Sequence, residues 1–298
     1  IKYTAKVTTD APTSVNIEKN TVTVNYSNSP TDTTGKGILK DETKHYTFDI
    51  DANLLGETSY HASELVKVGL DKDGKEITET RPLSNGHSIG ALQGAKFKLY
   101  VADANSETKI KDEGGNEIKA SVYTNDIMTG DYYIESDADG RLTIHGQTTP
   151  GIRGLDAGTY YLVETEAPDG YIKAQNAAKI QINATIDETN EVTEYLDEAT
   201  GTLYTEQDAQ NTRTEVKYTV PILTSYEVLI NGKQTAKYTM TNEKPDKGDK
   251  DAAADKAIGE NGAIGATPTN ADADAGKITN TQGVELPSTG GIGTTIFY

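Results

Sequence analysis

The types of side chain present limit the chemistry that this chain can perform. Its 298 residues include no cysteine and only four histidines. The lack of cysteine excludes disulfides, thiolate metal sites and a cysteine nucleophile, and four histidines argue against a histidine-rich metal site. The stretch DKDG at 71–74 matches the start of a calcium-binding loop, but ordinary hairpin turns have the same composition. The runs GAIGATP and GGIG follow no suitable strand and precede no helix, so phosphate binding is unsupported. No metal or cofactor is predicted.

The pentapeptide LPSTG at 286–290 is the stretch with the clearest chemical meaning. It matches the sortase sorting signal Leu-Pro-x-Thr-Gly, and its members are Leu286, Pro287, Ser288, Thr289 and Gly290. Proline fixes an extended, kinked backbone before the scissile bond, and the small Thr-Gly pair admits the cysteine nucleophile of a sortase. The apolar residues IGTTIFY that follow are interpreted as the start of a hydrophobic tail. The sequence therefore predicts a sortase substrate.

Three further stretches resemble one family. GTYYLVETEAPDGY at 158–171 resembles the E-box of sortase-assembled pilins of Gram-positive bacteria. SIGALQGAKFKLY at 88–100 resembles a strand of collagen-adhesin B-type (CnaB) domains, and NTVTVNYSNSP at 20–30 resembles the closing strand of the fimbrial domain that precedes it in shaft pilins. Together with LPSTG, these motifs resemble the isopeptide-containing fimbrial subunits of the SpaA type.

The resemblance implies an autocatalytic crosslink between a lysine and an asparagine. Lys67 takes the position of the nucleophile and Glu164 that of the proton-shuttling acid. The lysine must be neutral, which burial favours, and the acid must be protonated. Glu164 shares a strand face with Tyr160 and Leu162, which predicts an inward orientation. Both faces of the Lys67 strand are apolar, so periodicity leaves its orientation open, and the alternative is a solvated lysine on an edge strand.

The asparagine of this crosslink has two candidates. Asn280 is preferred because it lies just before LPSTG, where the last strand of the family ends, and Asn242 is the alternative because it also resembles a strand end. In the first domain Asn28 matches the acceptor asparagine of the family, with Asn25 as its competitor. The lysine that would pair with Asn28 is expected upstream of residue 1, as is the lysine that accepts the next subunit.

The elements that must position these residues are predicted to be strands. Alternating apolar residues with many tyrosines and β-branched residues favour an all-β fold, and Asn231-Gly232 predicts a two-residue hairpin turn. The predicted strands cover 3–9, 21–27, 45–51, 64–71, 95–101, 131–137, 141–146, 158–166, 179–185, 215–221, 226–230, 236–242 and 277–280. A short helical turn is expected at 61–67 or at 116–128. Together with the resemblance, this predicts an immunoglobulin-like (CnaB-type) β-sandwich with a long insertion, preceded by the C-terminal part of a second β-sandwich.

Three regions are predicted along the chain. Residues 1–60 are interpreted as the C-terminal part of a fimbrial β-sandwich, 61–280 as the CnaB-type sandwich, and 281–298 as the sorting signal and tail. Within the second region, 243–277 contains no aromatic residue and is rich in Ala, Asp, Gly and Lys. Such a composition buries too little apolar surface to offset its ordering entropy, which predicts a flexible segment.

Composition and motifs together predict a structural protein rather than an enzyme. The net charge of −18 argues against nucleic acid and anionic membranes as partners. The expected function is a shaft pilin in the cell wall and pilus of a Gram-positive bacterium. Its partners would be pilus-specific and housekeeping sortases, identical subunits, peptidoglycan and a host surface ligand. The alternative is a wall-anchored adhesin or ancillary pilin whose insertion at 186–242 binds a host ligand.

Overall fold

The computed structural model describes residues 16–26, 37–50, 65–77, 90–148, 151–210, 212–240, 266–269 and 276–283. These residues form 18 strands. In chain order the strands are β1 (Asn16–Tyr26), β2 (Gly37–Ile50), β3 (Val66–Leu70), β4 (Lys96–Ala102), β5 (Lys109–Lys111), β6 (Glu117–Val122), β7 (Ile134–Ser136), β8 (Leu142–Ile144), β9 (Ile152–Leu155), β10 (Gly158–Glu166), β11 (Ala178–Asp187), β12 (Glu191–Asp197), β13 (Thr202–Tyr204), β14 (Thr214–Thr219), β15 (Ile222–Ile230), β16 (Lys233–Met240), β17 (Ala266–Thr269) and β18 (Lys277–Thr281). The predicted all-β class is confirmed. In this part of the chain, no helix could cross a membrane.

One large sheet forms the main layer of the fold. Its strand order is β17-β16-β15-β11-β10-β4-β6-β5. Strand β7 also pairs with β4, and β8 pairs with β7. Two smaller sheets, β1-β2-β9 and β3-β18, contribute side chains to the same hydrophobic core, and β13-β12-β14 forms a third small sheet. The named strand pairs are antiparallel, apart from the parallel pair β3–β18.

The core follows from period-2 alternation on the large sheet. Along β4 and β11 every second side chain is buried, as in Phe97 and Leu99, and Ile180 and Ile182. Strand β2 adds Phe48, whose ring centroid lies 5.0 Å from that of Tyr226 on β15. The end of β2 therefore shares the core of the following strands. The predicted domain boundary near residue 60 stays a prediction, because 51–64 lies outside the described residues.

Turn chemistry agrees with the sequence at the β15–β16 hairpin. Asn231 and Gly232 both have positive φ, 50° and 78°, which the predicted two-residue turn requires. The Asn231 side-chain oxygen also accepts a hydrogen bond from Lys179 N, 2.8 Å away, and so ties the turn to β11.

One local prediction is wrong. Residues 117–122, predicted as part of a helical turn, form strand β6, because they pair with both β4 and β5. Main-chain pairing with neighbouring strands here outweighs the local sequence signal. The flexibility of 243–277 stays a prediction, because only 266–269 and 276–277 of that segment are described, and Ala266–Thr269 pair with β16 as strand β17.

Candidate functional site

Lys67 lies on β3, a strand with partners on both sides. The parallel strand β18 pairs along one edge, and on the other edge Lys67 N donates to Gly140 O at 2.7 Å while Lys67 O accepts from Leu92 N at 3.0 Å. Both faces of β3 are buried from Val66 to Gly69, and the Lys67 side chain has no exposed surface. Lys67 is therefore not the solvated lysine of an edge strand.

Glu164 lies near the end of β10 and points into the protein. Its strand alternates between partly exposed and buried residues, and Tyr160, Leu162 and Glu164 are the buried members. This is the orientation that the sequence predicted. Glu164 is paired with Phe97 of β4, and a bulge follows immediately, before Glu166. The carboxyl group therefore enters the core at the last regular position of the β10–β4 ladder.

Asn280 lies on β18, directly across from Gly69 of β3. The residue is 3% exposed, so its side-chain amide is enclosed by the protein. The amide nitrogen donates to Glu164 Oε2 at 2.7 Å and to the main-chain carbonyl of Ile172 at 2.8 Å. Parallel pairing of β3 and β18 therefore brings Asn280 to the acid on β10.

Glu164 contacts both other members of the predicted crosslinking site. One carboxyl oxygen, Oε1, lies 3.1 Å from Lys67 Nζ, and the other, Oε2, accepts from Asn280 Nδ2. Oε2 also accepts from the Ala174 main-chain nitrogen at 2.6 Å. A single carboxyl group is thus in position to exchange protons with an amine on one side and an amide nitrogen on the other.

The environment of Lys67 favours the neutral amine. Burial lowers the pKa of Lys67 from its ordinary value of 10.5 to about 8, and the nearby charge of Glu164 opposes that shift. The Phe97 ring centroid lies 5.3 Å from Nζ, so part of the surroundings is apolar. A lysine with this pKa loses its proton far more readily than one on the surface.

Three buried polar atoms of the site form no hydrogen bond within the described residues. They are Lys67 Nζ, Glu164 Oε1 and Asn280 Oδ1. The first two lie at ion-pair distance from one another. Unsatisfied buried polar groups are costly and uncommon in native proteins. Their concentration at one point therefore calls for a chemical explanation.

A cavity of about 200 Å³ borders the site. Phe97, Glu164, Ala174 and Ile278 are among its lining residues. The cavity gives a small molecule access to the Glu164 side of the site.

The structure describes only some of the other predicted positions. Asn28, Asn242 and the sorting signal Leu286–Gly290 lie outside the described residues. Asn25 lies on β1, where it is exposed and paired with Ile38 of β2. Asp71, the first residue of DKDG, accepts the main-chain N–H groups of Asp73 and Lys75 through Oδ1, an arrangement that closes a turn.

Two main-chain groups at the site were missed by reasoning from the sequence. The Ile172 carbonyl and the Ala174 N–H contact Asn280 and Glu164, respectively. Main-chain groups carry no side-chain signature. Only the short distance of this segment from the E-box, which ends at Tyr171, could have drawn attention to it.

The β-sandwich with its buried Lys-Glu-Asn cluster can be compared with known protein families. Residues 85–196 match the family model described as SpaA, a prealbumin-like fold domain. This part of the chain is thus similar to SpaA domains, and the predicted resemblance is confirmed over these residues. Glu164 lies within the matched range, and Lys67 and Asn280 lie outside it.

A solved structure with some likeness is that of the group B streptococcus pilus 2b backbone protein. Its identity to the chain is 22%, and the match covers 51% of this chain and 43% of that chain, with a TM-score of 0.20. A TM-score this low carries no argument about fold or function. No curated protein matches the chain.

Proposed function

We propose that the chain is a structural subunit of a sortase-assembled pilus on a bacterial surface, strengthened by an isopeptide bond between Lys67 and Asn280. The observation that carries the proposal is the enclosed contact of Glu164 with both Lys67 Nζ and Asn280 Nδ2. The match of residues 85–196 to the SpaA family supports it.

The reaction joins an amine to a carboxamide and releases ammonia. Lys67 transfers a proton to Glu164 Oε1, and the neutral Nζ attacks the side-chain carbonyl carbon of Asn280. In the resulting tetrahedral intermediate, Glu164 returns a proton to the amide nitrogen, which already contacts its carboxyl group. The C–N bond of the asparagine side chain then breaks and ammonia leaves, while Nζ gives its second proton to Glu164, so that a neutral amide between Lys67 and Asn280 remains. The cavity beside Glu164 provides a path for that ammonia.

Formation of the crosslink would also remove one of the three unsatisfied groups, the amine of Lys67. Lys67 Nζ becomes an amide nitrogen with one hydrogen, so the buried ammonium disappears from the core. The bond would hold β3 to β18 covalently, and force applied along the chain would no longer depend on the hydrogen bonds between them. It would give a chain without cysteine the mechanical benefit of a disulfide.

The mass of the intact chain tests this proposal. We expect the wild type to be lighter than its sequence by one ammonia, and the Glu164→Ala variant to have the full mass. Peptide mapping then identifies the joined residues and decides between Asn280 and Asn242. A wild type of full mass, in a preparation that is folded by circular dichroism, would overturn the crosslink.

Polymerisation forms the second part of the proposal and depends on LPSTG. A sortase would form a thioester with the Thr289 carbonyl and transfer it to a lysine of another subunit or to peptidoglycan. Incubation of the chain with a pilus sortase and an amine acceptor should give a product that ends at Thr289. Thr289→Ala should give none.

One observation favours the alternative of a wall-anchored adhesin. Strands β12, β13 and β14, within the predicted insertion, form a sheet of their own outside the large sheet. The Arg213 guanidinium covers the ring of Tyr204 in this sheet, with its central carbon 3.6 Å from the ring centroid. An adhesin would be anchored singly, whereas a shaft pilin would form ladders of covalent multimers on denaturing gels of cell-wall extracts.

A further inference from the structure

We propose that the main chain of Ile172–Ala174, called here the clamp segment, makes the site selective for an amide over a carboxylic acid at position 280. This inference rests on the proposed crosslink. It assigns a positioning role to groups that the reaction scheme itself does not require.

The clamp segment is held against β18 by its own hydrogen bonds. Ile172 N donates to Thr281 O at 2.9 Å, and Gly283 N donates to Gly170 O at 2.7 Å. The Ile172 carbonyl lies between the bonded nitrogens of Ile172 and Ala174, and Ala174 N donates to Glu164 Oε2 at 2.6 Å, so turning the carbonyl away from Asn280 would disturb these bonds. The segment therefore presents a fixed acceptor to whatever group occupies the end of side chain 280.

That acceptor distinguishes nitrogen from oxygen. Asn280 Nδ2 has two hydrogens, and each has an acceptor: Glu164 Oε2 at 2.7 Å and Ile172 O at 2.8 Å. An aspartate at position 280 would place a carboxyl oxygen between the same two acceptors. If ionised, that oxygen would have no hydrogen to give, and if protonated, it would have only one. The two acceptors therefore fit the –NH₂ group of an asparagine at position 280 and disfavour the –OH or –O⁻ of an aspartate.

The same segment also fixes which oxygen of Glu164 faces the lysine. Ala174 N donates to Oε2 at 2.6 Å, so Oε2 accepts two hydrogen bonds, one from Ala174 and one from Asn280. Oε1 accepts none from the described residues and lies next to Lys67 Nζ. The oxygen with unused lone pairs is therefore the one that takes the proton of the lysine.

The test measures crosslinking rates in the full chain. A photocaged lysine is incorporated at position 67, the chain is uncaged in denaturant, and dilution into buffer at neutral pH starts folding and crosslinking. Mass spectrometry follows the loss of ammonia, or of water for an acid at position 280. Asn280→Asp should crosslink at least about tenfold more slowly than the wild type, as expected for the loss of a buried hydrogen bond.

Two changes to the clamp segment separate positioning from general damage. An ester in place of the Ile172–Lys173 peptide bond weakens the Ile172 carbonyl as an acceptor. It should reduce the ratio of the wild-type rate to the Asn280→Asp rate by several-fold. Ala174→Pro removes the N–H that binds Glu164, and Ala174→Gly keeps it, so the proline variant should react about tenfold more slowly than the glycine variant. Circular dichroism verifies that each variant is folded.

The outcomes distinguish the two proposals. If the wild type loses no ammonia, the crosslink itself fails. If the wild type crosslinks and the Asn280→Asp variant reacts equally fast, or the ester leaves the ratio unchanged, the crosslink stands and the selectivity of the clamp segment is refuted. Equal rates for Ala174→Pro and Ala174→Gly would refute the role of the Ala174 N–H.

Discussion

Two glutamates at the end of β10 show how burial changes the properties of a lysine–glutamate pair. Glu164 lies 3.1 Å from Lys67, and Glu166 lies 2.8 Å from Lys96. The side chains of the first pair are 0% and 1% exposed, and those of the second are 36% and 60% exposed. The two pairs have the same chemistry and similar distances, and they differ in the solvent around them.

The pKa values of the two lysines move in opposite directions. Burial lowers the pKa of Lys67 to about 8, whereas a hydrogen bond from Lys96 to Glu166 raises the pKa of Lys96. Desolvation penalises the ammonium of Lys67 more than Glu164 stabilises it. An ion pair in water keeps its charges, and the same pair in the core is prepared to become neutral. The bulge after Glu164 separates these two environments along one strand.

The largest effect is expected from removing the carboxyl group of one glutamate at a time. Glu164→Gln keeps the shape of the side chain but cannot exchange protons, so crosslinking should slow by about 100- to 10,000-fold. Glu166→Gln is the matched control on the same strand and should crosslink at the wild-type rate. Mass spectrometry of both variants over time gives the two rates. If Glu164→Gln crosslinked at the wild-type rate, burial would not give Glu164 a role in the reaction that Glu166 lacks.

The next effect is on stability. Asn280→Ala leaves Lys67 and Glu164 in place but prevents the bond, and the free energy of unfolding should fall by about 5 kcal/mol, because the unfolded chain is no longer constrained. Thr279→Ala changes the adjacent exposed residue of β18 and serves as the control. Denaturant unfolding monitored by circular dichroism measures both. A loss equal to that of Thr279→Ala would show that no covalent constraint exists in the wild type.

A smaller effect is expected from crowding the main chain of Lys67. A methyl group on Gly140 would lie 2.5 Å from Lys67 O, and Gly140 has a φ of 77°. Gly140→Ala should destabilise the chain by about 2–4 kcal/mol, the sum of the positive-φ cost and the clash. Gly146 has a similar φ of 85° but open space around it, so Gly146→Ala should cost only about 1–2 kcal/mol. Thermal unfolding measures the stability of both variants. Equal losses of stability in Gly140→Ala and Gly146→Ala would contradict the close packing of Gly140 against β3.

The pH dependence of the reaction should reveal the shared proton. The reactive form, neutral Lys67 with protonated Glu164, carries the same number of protons as the ion pair. While Lys67 and Glu164 share one titratable proton, the fraction of molecules in this reactive form does not change with pH. Above the Lys67 pKa of about 8 the shared proton is lost, and the reactive fraction falls. We expect the rate to decline about tenfold per pH unit above that value. A rate that rises through pH 8 would show that the acid is not needed.

The smallest effect is expected at the exposed pair. Lys96→Met should leave both the crosslinking rate and the free energy of unfolding unchanged within error, because solvent screens the pair. The measurement is unfolding at low and high salt. A clear salt-dependent loss of stability would mean that the two lysine–glutamate pairs differ less than their exposure indicates.

Part of the site could be predicted from the sequence because it depends on local alternation. The inward orientation of Glu164 follows from Tyr160 and Leu162 on the same face of β10. The β15–β16 turn follows from the tolerance of Asn231 and Gly232 for positive φ. The E-box pattern resembles that of SpaA-type subunits, and residues 85–196 match the SpaA family model.

Other features required the tertiary structure because they depend on contacts between distant segments. The orientation of Lys67 could not be predicted, since β3 is buried on both faces and has no polar side. Short strands such as β6 and β17 form because a neighbouring strand offers hydrogen-bonding partners.

The contact of Asn280 with Glu164 and Ile172 is likewise a product of the tertiary structure. Sequence position favoured Asn280 over Asn242, but only the parallel pairing of β3 with β18 brings the amide to the acid. Residue types and local periodicity determine which side chains can react and which strands they occupy. The distances, the burial and the shifted pKa of Lys67 arise when strands far apart in sequence exclude water from the same small volume.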